Sequence, residues 1–164
     1  MSSAGALDQL NEYLRGLNTI YPELFRLIGS PQIVDVETDL NARVQLRAKY
    51  TTLLETSHSY NPREPDSFAS AVVQGGLLQA ILDNAMTLGV VACTGGRFQT
   101  TLDMSCQFVR PTRPGDVFVE VTVTGVSGSV AFATCRLFSD EACKVLTATA
   151  TSTSKLRKER VSKL

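Results

Sequence analysis

The stretch Gly75–Cys93, GGLLQAILDNAMTLGVVAC, decides the fold. It is the least polar run in the chain. Apolar residues fall on nearly every side of a 3.6-residue wheel, so it reads as a helix buried almost all round. Gly95 and Gly96 close it. One charge, Asp83, stands inside. A carboxylate among apolar neighbours costs several kcal/mol unless it is paired or opens onto a site. Asp83 is therefore either a structural acid paired with an arginine or a reacting group. Gln74, Gly75 and Gly76 open the helix. Glycines there let a ligand oxygen approach bare backbone N–H groups at the positive end of the helix dipole. That is an oxyanion-binding device, with a carboxylate further along the same helix.

Beyond the helix the chain reads as strand over 100–110, 116–126, 130–138 and 143–153. Val117, Val119, Val121 and Val123 alternate with Phe118, Glu120, Thr122 and Thr124, and Ala131, Ala133, Cys135 and Leu137 follow the same period of two. Leu146, Ala148 and Ala150 continue it. The joints at 111–115, 127–129 and 139–142 are short, which predicts hairpins and an antiparallel meander. Small residues on one face leave room for a helix to approach closely. The expected architecture is α+β: one long buried helix held against an antiparallel sheet.

Towards the N-terminus, Leu7, Leu10, Leu14, Leu17, Tyr21, Leu24 and Ile28 recur at steps of three and four. Pro22 interrupts them, so two short helices are expected over 4–18 and 22–28, ending near Gly29. Residues 33–50 read as one or two strands. Ala42, Val44, Leu46 and Ala48 form the apolar face, and 39–41 form a turn. Residues 56–70 are polar, carry Pro62 and Pro65, and read as a loop. The layout is a helical arm over 1–30, a main domain over 31–154 and a basic tail over 155–164.

Composition narrows the function. Sixteen Lys+Arg balance sixteen Asp+Glu, which leaves no global basic field for nucleic acid. No basic segment followed by an apolar core opens the chain, and no uninterrupted apolar run is long enough to span a bilayer. A cytoplasmic protein without a membrane partner is expected. Cys93, Cys106, Cys135 and Cys143 contain no C-x-x-C pair and read as small buried thiols. The only histidine, His58, sits in the polar run SHSYNPREPD and reads as a solvated loop residue. One histidine removes most metal sites, so no metal is expected.

VVQGGLLQAILDNAM, FVRPTRPGD, VAFATCRLF and VLTATATST together resemble the hotdog-fold acyl-CoA thioesterases of the phenylacetyl-CoA thioesterase type. The resemblance spans 42–154. That family's motif is His-Gly-Gly opening a long helix, with an acid nine residues after the His. The matching positions here are Gln74, Gly75, Gly76 and Asp83. The resemblance implies that the N–H of Gly75 polarises the thioester carbonyl. It implies that Asp83 acts as base or nucleophile and that Thr101 helps position water. Gln74 replaces the histidine; it can donate a hydrogen bond but cannot shuttle a proton. The family's Asn-Pro corresponds to Asn61-Pro62. Arg110 and Arg113, with Lys155, Arg157 and Lys158, are candidates for the phosphates of coenzyme A. The resemblance further implies that no cofactor is needed and that a homodimer or tetramer forms. Each site would be shared, with Gln74 and Gly75 from one protomer and Asp83 and Thr101 from the other. Two other functions fit the same fold: an acyl-CoA dehydratase or hydratase, and an acyl-CoA sensor without turnover.

Overall fold

The computed structural model describes residues 3–38, 44–53, 56–58, 63 and 70–157. Helices α1 (Ser3–Ile20) and α2 (Pro22–Ile28) form the N-terminal arm. Pro22 occupies the first turn of α2, where its missing N–H leaves no bond unmade. Leu10 and Ile28 are buried, but Tyr21 and Leu24 are exposed, and Phe25 takes the core position instead. The restart at Pro22 resets the helical phase, so the repeat does not run through the break. Leu10, Phe25 and Ile28 share one core cluster with the sheet and the central helix.

Strands β1 (Gln32–Thr38) and β2 (Val44–Thr52) pair antiparallel. Val44, Leu46, Ala48 and Tyr50 of β2 point into the core. The turn expected at 39–41 lies outside the described residues, as does Ala42. The stretch 56–70 departs from a pure loop at its start, where β3 (Ser57–His58) pairs with β4 (Val72–Val73). Two residues are too few to leave an alternation in the sequence.

The central helix α3 spans Gly75–Cys93, and the Gly96 N–H closes it on the Val91 carbonyl. It is followed by β5 (Gln99–Phe108), β6 (Gly115–Ser127), β7 (Val130–Phe138) and β8 (Leu146–Leu156). All the long strands form one antiparallel sheet in the order β1-β2-β6-β7-β8-β5. The expected meander therefore holds only for β6-β7-β8. The joint after β5 is no hairpin: β5 pairs with β8 at the edge, and the chain crosses to the middle of the sheet. Pro111 and Pro114 stiffen this crossing, and the Thr112 carbonyl between them accepts the Val73 N–H at 2.9 Å. The sheet curls around α3, which touches β2, β5, β6, β7 and β8. Strand β8 starts three residues later than expected, because the Asp140 carboxylate accepts the N–H groups of Lys144 and Val145 in a turn.

Val117, Val119, Val121, Val123, Ala131, Ala133, Cys135, Leu137, Ala148 and Ala150 line the inner face. At Gly89 the helix packs tightly on β6: a Cβ there would lie 2.7 Å from Val121 Cγ1. Helix α3 is not buried all round. Ala80, Asp83, Asn84 and Thr87 form a half-buried stripe, continued by exposed Gly76 and Gln79. The sheet covers one side of the helix and leaves this stripe open. By length and composition α3 could cross a bilayer, but here it is the core helix of the sheet. Of the four cysteines only Cys135 is buried; the others are half-buried, and no disulfide joins them.

Candidate active site at the start and middle of the central helix

The start of α3 is built from backbone. Gln74 is the N-cap, with extended φ of −63° and ψ of 131°, and its Oε1 accepts the Leu77 N–H at 3.0 Å. Gly75 and Gly76 are the first two helical positions, so their N–H groups have no acceptor within the helix. The two bare Cα atoms serve different purposes. A Cβ on Gly76 would lie 2.8 Å from Gln74 Oε1, so glycine lets that side chain fold over the cap. A Cβ on Gly75 would lie 3.3 Å from Cζ of Phe108, whose ring covers this turn. Because the cap uses Oε1, the Gln74 side chain offers a ligand only its Nε2 donors.

A cavity of about 330 Å³ opens beside Gly75, bordered by His58, Val72, Leu78, Phe108, Arg110 and Thr112. His58 is exposed, as its polar surroundings predict, but it is not in a loop. Pairing of β3 with β4 sets it in the cavity wall. Arg110 is anchored through Nη1 to the Leu146 carbonyl at 2.8 Å. Arg113 does not border the cavity; its Nη1 donates to the Ala71 carbonyl at 2.9 Å and ties the crossing to the segment before α3. A larger groove, about 900 Å³, runs along α1 past Asp8, Glu12, Arg15, Phe25 and Pro31. It touches none of Gln74, Gly75, Asp83 or Thr101.

The middle of α3 is built from side chains. The Thr101 hydroxyl, on β5, donates to Asp83 Oδ1 at 2.8 Å. The partner of this half-buried carboxylate is thus a hydroxyl, and among the described residues no arginine pairs with it. One turn on, Gln99 Nε2 donates to Thr87 Oγ1, a second link between helix and strand. The Tyr50 hydroxyl donates to Asn84 Oδ1 at 2.8 Å. Burial pushes the Tyr50 phenol well above its ordinary value, so it stays a neutral donor. The Cys106 thiol is raised by burial and, secondly, by the charge of Asp83. Sequence reasoning missed Asn84, Thr87 and Gln99. The signal was present in the polar residues at 83, 84 and 87, which share one helical face.

Gly75 and Asp83 are eight residues apart, about 12 Å along the helix axis at roughly 1.5 Å per residue. The structure brings Asp83 to Thr101 and Gly75 to the cavity, and keeps these two groups separate within one chain. The basic candidates divide likewise. Lys155 pairs with Thr100 across the ladder and donates to Ser129 Oγ at 2.7 Å. The Arg157 guanidinium lies 5.6 Å from the Phe98 ring centroid. Asn61 and Lys158 lie outside the described residues. Among the described residues no three His, Cys, Asp or Glu side chains group as metal ligands.

Residues 71–144 match the family model of the thioesterase superfamily. No curated protein matches the sequence. A phenylacetic acid degradation-related protein of Ralstonia eutropha JMP134 has a similar structure, with a TM-score of 0.64 at 24% identity over 89% of this chain and 98% of that one. The PaaI protein of the E. coli phenylacetic acid degradation operon superposes with a TM-score of 0.68 at 13% identity, covering 95% and 96%. A Haemophilus influenzae thioesterase does so with 0.62 at 19%, covering 88% and 90%. The chain has the hotdog fold of these structures, and its residues 71–144, which hold Gly75, Asp83 and Thr101, match the model of the thioesterase superfamily.

Proposed function

We propose that the protein hydrolyses the thioester of an acyl-coenzyme A to the free acid and coenzyme A. The observation that carries this reading is the Asp83–Thr101 pair on a helix whose first N–H groups lack helical acceptors. The match to the thioesterase superfamily and the thioesterase named among the structural neighbours support it. In this reading the substrate carbonyl oxygen sits on the Gly75 N–H, assisted by Nε2 of Gln74. Thr101 holds one carboxylate oxygen of Asp83 and leaves the other to take a proton from water, which attacks the carbonyl carbon. Charge gathers on the carbonyl oxygen, where the helix start stabilises it; one such donor is typically worth about 3–4 kcal/mol. In the same reading Arg110, which borders the cavity, meets a phosphate of the substrate.

The reading includes a dimer with shared sites. Strand β5 is an open sheet edge carrying exposed Leu102 and Phe108, 61% and 52% accessible. The uncovered stripe of α3 runs beside it. Two-fold pairing of such edges sets two α3 helices antiparallel, and the start of one meets the middle of the other. That closes the gap of about 12 Å that a single helix leaves open.

Release of free thiol from a panel of acyl-CoA esters tests the activity. Asp83→Asn should cut turnover at least a hundredfold while the fold, followed by circular dichroism, persists. Near-normal release by this variant would remove Asp83 from the chemistry. Thermal stabilisation by acyl-CoA without thiol release would make the protein a sensor instead.

A further inference from the structure

The proposed hydrolysis gives work to Gly75, Asp83 and Thr101 but assigns the departing sulfur no proton donor on the cavity side. The cavity wall contains one candidate. His58 is the only histidine of the chain, and it borders the same cavity as Gly75. Its position is fixed from several sides. Ser57 and His58 pair with Val73 and Val72. The Gln74 N–H donates to the Thr56 carbonyl at 3.3 Å, which ties this ribbon to the start of α3. The hydroxyls of Thr56 and Ser57 both donate to the Leu53 carbonyl, at 2.8 and 3.4 Å. The imidazole is therefore carried by a segment bonded directly to the helix cap.

The other polar groups bordering the cavity cannot do the same work. Arginine does not release its proton in proteins, and the Arg110 guanidinium is held by the Leu146 carbonyl. The Gln74 side chain is folded on the cap, and an amide carries no transferable proton. Thr112 is fully buried in the wall, and its hydroxyl has no hydrogen-bond partner among the described residues. Histidine is the side chain that takes up and releases protons near neutral pH.

We propose that His58 touches the bound thioester and protonates the leaving sulfur, an inference that rests on the thioester-hydrolysis reading. When the tetrahedral intermediate collapses, the carbon–sulfur bond breaks and its electron pair goes to sulfur. The imidazolium proton follows, coenzyme A leaves as the thiol, and neutral His58 regains a proton from water. Asp83 releases to solvent the proton it took from the attacking water. In the shared-site dimer, one protomer would supply the carbonyl clamp and the proton donor, and the other the base.

The test uses leaving groups of different basicity. Hydrolysis of hexanoyl-CoA, an alkyl thioester, is compared with that of the S-phenyl thioester of hexanoic acid, whose thiolate leaves readily without a proton. His58→Ala and His58→Gln should each lose roughly a hundredfold on the alkyl ester, in the range of general acid catalysis, and less than tenfold on the aryl ester. Glutamine keeps a hydrogen-bond donor in place, so failure of His58→Gln to rescue the alkyl rate separates proton transfer from positioning. If His58→Ala does not fold, His58→Gln alone carries the comparison. Equal losses on the two esters, or no loss, overturn the role of His58 while leaving the hydrolase reading intact. A wild-type protein that cleaves neither the S-phenyl ester nor any acyl-CoA ester of the panel overturns both.

Discussion

The start and the middle of α3 solve different chemical problems with different parts of the polypeptide. At the start, the groups on offer are backbone N–H donors, shaped by two glycines, a capping glutamine and an overlying Phe108 ring. In the middle, the groups on offer are side chains, with Asp83 and Thr101 locked together at 2.8 Å. A site made from N–H groups should tolerate many side-chain changes but not loss of the N–H. A site made from a carboxylate and a hydroxyl should behave the opposite way. The two ends can therefore be disabled independently, and the comparison can be broken by experiment.

The largest effect comes from breaking both ends in separate chains. Gly75→Pro removes the donor with little cost to the helix, because proline is accommodated at the first helical position. Gln74 already has the extended backbone that a residue before proline requires. The half-exposed Phe108 ring has room to move away. This variant should lose roughly a hundredfold to a thousandfold in turnover. Asp83→Ala should lose at least as much. In a shared-site dimer, one of the two sites in every mixed dimer inherits neither defect, so mixing the two inactive proteins should restore thiol release. Mixtures that stay inactive after subunit exchange, confirmed by mass, would place each complete site within one protomer.

The two ends also differed in how far the sequence revealed them. The bounds of α3 could be read directly, since dense apolar residues stand between glycines at both ends. Which strand faces lie inward was equally clear, because the period of two is set by the pleat. The partner of β5 was not. Alternation tells which face of a strand is buried and says nothing about its neighbour, and the six-residue joint carrying Pro111 and Pro114 looks as much like a hairpin as like a crossing. The open stripe on α3 was hidden because Ala80 and Gly76 read as apolar although the sheet does not cover them. Gly75 and Asp83 stood out by residue type. Thr101 came only from resemblance, since hydroxyl residues fill the strands and none is marked by spacing. The cavity position of His58 depends on a two-residue ribbon that no pattern announces.

A smaller effect should sharpen the side-chain end. Thr101→Val keeps the shape of the side chain and removes the hydroxyl that donates to Asp83 Oδ1. A hydrogen bond to a charged group is worth about 1.5–3 kcal/mol, so turnover should fall roughly tenfold to a hundredfold. Thr101→Ser should retain most of the activity. If the serine and valine variants are equally slow, the contribution of Thr101 lies in its methyl packing and not in its hydroxyl.

The smallest effect concerns Gln74, where structural and chemical roles overlap. Its Oε1 caps Leu77, and its Nε2 is the part left for a substrate oxygen. Gln74→Ala removes both, while the N–H groups of Gly75 and Gly76 remain. The lost cap should cost about 1 kcal/mol, a fall in Tm of roughly 2–4 °C for a chain of this size. Turnover should drop about tenfold, less than for Gly75→Pro, because the backbone donors persist. Gln74→Ser separates the two roles. Serine is a strong N-cap residue but is too short to reach the substrate as glutamine does. The serine variant should therefore melt at or above the wild-type temperature and turn over as slowly as the alanine variant. Recovery of both stability and rate by serine would reduce Gln74 to a helix cap, and the start of α3 would then act through its backbone alone.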